Sequence, residues 1–156
     1  MRVAIGTDHA GFELKERLKT ALVAWGHTVE DHGTFSAETV DYPDFCFPAA
    51  ESVARGTADR GIVLGGSGIG ESIVANKVAG VRAALVTSEE TARVTRLHND
   101  SNVIALGGRT NPDHEQVVGW LKVWLDTPFE GGRHIARLAK ITAYEEAHGR
   151  ARDSRV

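Results

Sequence analysis

Along the chain, short apolar runs alternate with longer stretches in which apolar residues recur every three or four positions. Val3–Gly6, Gly61–Gly65, Val81–Val86 and Asn102–Leu106 are near-continuous runs bounded by glycine or polar residues. Runs of that length predict strands buried on both faces, as in a parallel sheet. A weaker strand is predicted at Thr28–Asp31. The stretches between them predict helices over Ala10–Trp25, Phe45–Arg55, Ile69–Val78, Ser88–Leu97, Pro112–Leu125 and Arg133–His148. In the first helix Phe12, Leu14, Leu18, Ala21 and Leu22 share one stripe, with Lys15, Glu16 and Lys19 off it. Pro112 suits a first helical position, and Ser88 with Thr91 supplies capping oxygens.

Strand–helix alternation predicts three α/β/α layers, with right-handed crossovers joining parallel strands. Ligands then bind at the carboxyl ends of the strands. That rule gathers Thr7, Asp8 and His9 after the first strand and Gly65 to Glu71 after the third. It adds Thr87 and Ser88 after the fourth and Gly107, Gly108 and Arg109 after the fifth.

Length and composition narrow the class. With 156 residues, 42% of them hydrophobic, the chain forms one domain with a sizeable core. A single cysteine, Cys46, excludes an intrachain disulfide and cysteine-rich zinc sites, and its apolar neighbours Phe45 and Phe47 predict a buried, inert thiol. No run approaches a membrane span, and Met1 to His9 does not read as a signal peptide. A net charge of −3 argues against nucleic acid. A soluble, cytoplasmic protein is expected, one domain over residues 1–148 with a frayed tail over residues 149–156.

Gly65-Gly66-Ser67-Gly68-Ile69-Gly70-Glu71 follows a buried strand and opens a helix, where backbone N–H groups and the helix dipole gather an anion. Two phosphate-loop patterns nearly match, and both fail at Glu71. The dinucleotide pattern needs glycine there, and the nucleoside-triphosphate loop needs lysine. A carboxylate in that turn can serve as a base beside amides that stabilise an oxyanion, which suits proton abstraction next to a carbonyl. Its plainer reading is a favourable partner for the helix dipole. Asp8 reads as a helix cap or a site residue, and His98 as a charge at a helix C-terminus or an acid. Tyr42-Pro43-Asp44 is a turn whose aromatic either lines a pocket or plugs a core edge. Arg133 and Arg137 stand four apart, able to grip one phosphate or to form a solvated face. No histidine pattern has metal-ligand spacing, so no metal is expected.

Taken in order, Thr7-Asp8-His9-Ala10-Gly11, Asp41-Tyr42-Pro43, Gly65 to Gly70, Ala75-Asn76-Lys77, His98-Asn99, Gly107-Gly108-Arg109 and Gly131-Gly132-Arg133-His134 resemble the type B ribose-5-phosphate isomerases. That family also holds galactose-6-phosphate isomerase subunits. The resemblance spans about residues 1–148. It implies a Rossmann-like domain with a five-stranded, mainly parallel sheet, and aldose–ketose isomerisation through an enediolate, without metal or organic cofactor. By resemblance, Asp8 and His98 assist ring opening, and Ser67 bonds substrate hydroxyls. The amides from Gly66 through Gly68 and Ile69 to Gly70 hold the enediolate. His9, Arg109, Arg133 and Arg137 match phosphate-binding positions, while Tyr42 and Asn99 match pocket-lining ones. The resemblance also implies a homodimer, sometimes a tetramer, with each site built from two chains.

One departure matters. Many members carry a catalytic cysteine where this chain has Gly65, and another branch uses a glutamate at the position of Glu71. Glycine cannot take a proton, so Glu71 is the expected base. Ribose 5-phosphate is the expected substrate. The same chemistry would serve a tetrose phosphate, allose 6-phosphate or galactose 6-phosphate, and a non-catalytic sugar-phosphate-binding module is a further alternative. Charge distribution fits an anionic ligand: residues 131–156 hold six Lys and Arg against three Asp and Glu, a net +3 that leaves −6 on residues 1–130.

Overall fold

The computed structural model describes residues 1–111 and 113–149. The expected first-turn Pro112 and nearly all of the expected tail, residues 150–156, lie outside them. Five strands, β1 (Arg2–Thr7), β2 (Thr28–Asp31), β3 (Arg60–Gly65), β4 (Ala83–Leu85) and β5 (Val103–Gly107), form one sheet in the order β2-β1-β3-β5-β4. Every pairing is parallel. Six α-helices connect and flank the strands: α1 (Phe12–Ala24), α2 (Pro43–Ala54), α3 (Ile69–Ala75), α4 (Glu89–Asn99), α5 (His114–Asp126) and α6 (Arg133–His148). The chain is thus an α/β sandwich of three layers.

The three central strands put alternate side chains into two separate cores, as the period of an extended chain requires. Val3, Ile5, Ile62, Leu64, Ile104 and Leu106 face Leu14, Leu18 and Leu22 of α1 and Val117, Leu121 and Trp124 of α5. Ala4, Val63, Val103 and Ala105 face Cys46, Ala49, Ala50 and Val53 of α2 and Val74 and Ala75 of α3. Small residues dominate the second core, which lets α2 lie close to the sheet. No described helix is long and apolar enough to cross a membrane.

Three expectations need correction. The fourth run yields only Ala83–Leu85, a half-buried edge strand, because one of its backbone edges has no neighbouring strand and is clamped by Asn76 through Ala83. The turn expected at Tyr42-Pro43-Asp44 is the start of α2, with Tyr42 at the cap and Pro43 at the first helical position, where its missing N–H costs nothing. Lys15 is not on the solvated side of α1. It is fully buried, with Nζ 2.7 and 2.9 Å from the two carboxylate oxygens of Asp31 at the end of β2. Elsewhere the local signals hold: Ser88 and Thr91 form a reciprocal capping box at the start of α4.

Candidate active site

The carboxyl ends of β1, β3 and β5 converge on the glycine-rich turn. Asp8 Oδ1 accepts from the Ala10 amide at 2.9 Å and caps the short 3-10 turn that opens into α1. His9 leans on the neighbouring loop, its Nδ1 lying 3.3 Å from both the amide nitrogen and the carbonyl oxygen of Val40. Gly68 sits at φ 80°, a left-handed conformation that turns the chain from β3 into α3. Ser67 Oγ accepts from the Ile69 amide at 3.2 Å. The Arg109 amide donates to Gly66 O at 3.0 Å, which ties the β5 turn to the loop. A Cβ placed on Gly70 would lie 2.8 Å from the Tyr42 hydroxyl, so the phenol covers the turn closely.

Glu71 is the deeply buried carboxylate of this arrangement. It is 4% exposed, and its Oε2 has no hydrogen-bond partner. A Cβ built on Gly65 would stand 1.7 Å from Glu71 Oε1. The carboxylate therefore occupies the space that any side chain at position 65 would fill, and the glycine there is what admits it. Burial pushes the Glu71 carboxyl up from the ordinary value, and the Asp8 charge adds to this. Its own amide and that of Gly68 pull the other way. The helix start was expected to favour the ionised form. It does so, but burial outweighs it, because both oxygens lose most of their water.

Cys46 lies beneath the same region, its Sγ 4.0 Å from Gly6 O and Leu64 O. It is fully buried, and burial pushes its thiol up, with the Glu71 and Asp8 charges adding to the shift. The inert-thiol reading fits this environment.

The remaining expected residues stand elsewhere. β4 and β5 are parallel, so α4 starts at their carboxyl ends and finishes at their amino ends. His98 and Asn99, in its last turn, are thus separated from Glu71 by the length of the sheet, about 16 Å for five residues at ~3.3 Å each. Arg133 and Arg137 lie on the exposed face of α6, whose start is tied to α4 by the Glu130 amide donating to Leu97 O at 3.1 Å. Within one chain the expected residues form two groups. Asp8, His9, Tyr42, Gly66 to Glu71 and Arg109 meet at one end of the sheet. His98, Asn99, Arg133 and Arg137 cluster toward the other.

The second group contains residues that sequence reasoning missed. His98 and His134 stack with centroids 4.5 Å apart and planes at 13°. Glu130 Oε2 lies 3.7 Å from His98 Nε2 and 3.9 Å from His134 Nε2. These ligand atoms lie within 4.8 Å of one another, a spacing that could hold a metal ion and that the sequence reading did not find. Near-parallel rings, however, aim their in-plane lone pairs side by side instead of at one point. The i,i+4 spacing of Glu130 and His134 was the available signal; His98 joins only through the fold. At the first group, His114 Nε2 and Gly108 O are 3.2 Å apart, bracing the turn that carries Arg109.

Comparison with known proteins defines the class. The profile of the ribose/galactose isomerase family matches residues 3–141, and the chain belongs to that family. Ribose-5-phosphate isomerase B of Escherichia coli is 42% identical over 151 residues, covering 93% of this chain and 97% of the relative. The structure of Clostridium thermocellum ribose-5-phosphate isomerase B superposes with a TM-score of 0.92 at 44% identity, covering 95% of this chain and 99% of that one. A Mycoplasma genitalium ribose-5-phosphate isomerase B with bound ribulose 5-phosphate superposes with a TM-score of 0.89 at 38% identity, covering 93% and 96%.

Proposed function

We propose that the chain is an aldose–ketose isomerase that interconverts ribose 5-phosphate and ribulose 5-phosphate, working as a soluble cytoplasmic homodimer of single-domain chains. The observation that carries the chemistry is the buried, unpaired Glu71 oxygen beside a turn of backbone amides. The names of relatives at this identity and coverage support the substrate.

Asp8 of one chain and His98 of the other assist opening of the furanose by moving the proton between the ring oxygen and the anomeric hydroxyl. Glu71 then takes the proton from C2 of the open aldose, and the electron pair moves through C1 onto the carbonyl oxygen. Amides from Gly66 to Gly70, with Ser67, stabilise that enediolate as charge develops. Glu71 returns the proton to C1, and the remaining hydroxyl proton moves from O2 to O1, leaving the ketose. A carboxylate raised by burial is a stronger base than a solvated one, which suits a carbon acid. His9 and Arg109 with Arg133 and Arg137 of the second chain hold the phosphate and fix the reacting carbons against the base.

Two observations favour a second copy of this chain as the missing half. The expected site residues are divided between opposite ends of the sheet. Each group also lies beside exposed apolar side chains: Ile69 and Ile73 on α3, and Ile135 and Ile141 on α6, are 48–58% exposed. A two-fold dimer that joins these faces would complete two sites at once.

The test is a panel of tetrose, pentose and hexose phosphates in deuterated water, with isomer formation and deuterium at the exchanging carbon read together. Fastest turnover on ribose 5-phosphate is the expected result. A different best substrate would reassign specificity, and solvent deuterium entering none of them would remove the isomerase reading.

A further inference from the structure

Glu130 is a carboxylate beside two imidazoles, just ahead of the helix that carries Arg133 and Arg137. Its Oε2 faces the imidazoles of His98 and His134 at 3.7 and 3.9 Å, beyond hydrogen-bond reach, and its side chain is 53% exposed. Burial, with His98, Arg133 and more weakly Arg137, holds His134 below the ordinary histidine value, while Glu130 pulls it up. The Nε2 of His134 is buried without a hydrogen-bond partner. An unpartnered buried nitrogen of this kind is costly unless a ligand satisfies it. The start of α6, a helix of 16 residues, adds its positive end. Surrounding arginines and near-parallel rings disfavour a metal cation here. The two arginines and the helix start suit an anion, and among the described residues the carboxylate beside the two imidazoles is that of Glu130.

We propose that Glu130 is an internal stand-in for the substrate phosphate, resting in the His98–Arg133–His134–Arg137 cluster until ligand phosphate displaces it. Two features make it displaceable. Its carboxylate makes no hydrogen bond in the cluster. Gly131 and Gly132, at φ 72° and 55°, follow it directly in conformations that only glycine adopts freely. The Glu130 backbone stays anchored to Leu97 O while the side chain swings out. The inference rests on the reading of Arg133 and Arg137 as phosphate ligands. Its consequence is that the carboxylate competes with substrate and sets affinity below what the cations alone would give.

Removing the internal anion therefore tightens phosphate binding. In calorimetric titrations of the intact protein with inorganic phosphate, Glu130→Gln and Glu130→Ala should bind about two- to fivefold more tightly than wild type, the factor set by an ion pair of this exposure. The gain should shrink as salt rises, which a merely structural role would not produce. KM for ribose 5-phosphate should fall by the same factor. Unchanged or weaker phosphate binding in both variants, with circular dichroism showing an intact fold, would overturn the proposal. A wild-type protein that fails to isomerise ribose 5-phosphate, with phosphate still binding more tightly to the variants, would remove the isomerase reading and leave the internal anion standing.

Discussion

Glu71, the proposed base, carries a thermodynamic cost. Its carboxyl is raised in the folded chain, so the folded state holds that proton more tightly than the unfolded state does. Stability associated with it is present below the ordinary carboxylate value and is lost as pH rises through the raised one. Glu71→Gln should consequently melt higher than wild type at about pH 8, with the gap closing near pH 4, as thermal unfolding at the two values would reveal. The same substitution should cut turnover by roughly 10²–10⁴-fold. Titration with inorganic phosphate should find binding nearly intact, since the proposed phosphate ligands are other groups. Near-normal turnover would remove Glu71 as the base. Gly65 tests the same carboxylate from the other side. In Gly65→Ala the new Cβ would meet Glu71 Oε1, so the carboxylate must leave its place. A loss of turnover comparable to that of Glu71→Gln is expected, with about 1–3 kcal/mol of destabilisation from overpacking in denaturant unfolding. That relation between Gly65 and Glu71 was only half legible in the sequence. The failed loop patterns exposed the glutamate, but no spacing rule says that a residue six positions on folds back into a glycine's empty volume.

At the scale of elements, hydrophobic period located every strand and helix, because central strands buried on both faces leave an unmistakable run. It failed where an element is at an edge or a charge is paired. β4 is three residues long because its outer edge has no strand to pair with and is held only at Ala83, by the Asn76 side chain. Lys15 reads as solvated until the fold supplies Asp31, 16 positions away, as its partner. Local chemistry was more reliable, as at the start of α4. Both halves of its capping box are made, the Thr91 amide donating to Ser88 Oγ at 3.1 Å and the Ser88 amide donating to Thr91 Oγ1 at 3.0 Å. Ser88→Ala should therefore cost about 1 kcal/mol, a fall of roughly 2–4 °C in melting temperature. Turnover per folded molecule should hold, since His98 lies at the far end of the same helix.

Over the whole molecule, motif order made the family legible, and the resemblance, not any spacing rule, implied that each site is built from two chains. Strand-end rules gather residues that follow strands, and His98 precedes one. A parallel sheet then sends the two groups to opposite ends. The homodimer reading makes this division measurable by complementation. In a mixed dimer of Glu71→Gln and His98→Asn chains, one site carries both substitutions and the other carries neither. Random assortment of the two inactive proteins should restore about a quarter of wild-type activity, since half the dimers are mixed and each has one intact site. No recovery after unfolding and refolding the mixture together would mean that Glu71 and His98 do not serve one site across the interface.

The empty volume at Gly65 also bears on how such chains are compared. Set beside the cysteine-bearing members that it resembles, this chain has only glycine at position 65, and the difference looks disabling. In space a side chain at position 65 and the Glu71 carboxylate claim one volume, the first entering from the last residue of a strand and the second from the first turn of a helix. Two chemically different side chains can thus be alternatives for one volume, and neither can be gained without the other giving way. A lineage passing between them would need both positions to change, and any intermediate with side chains at both would be crowded before it was catalytic.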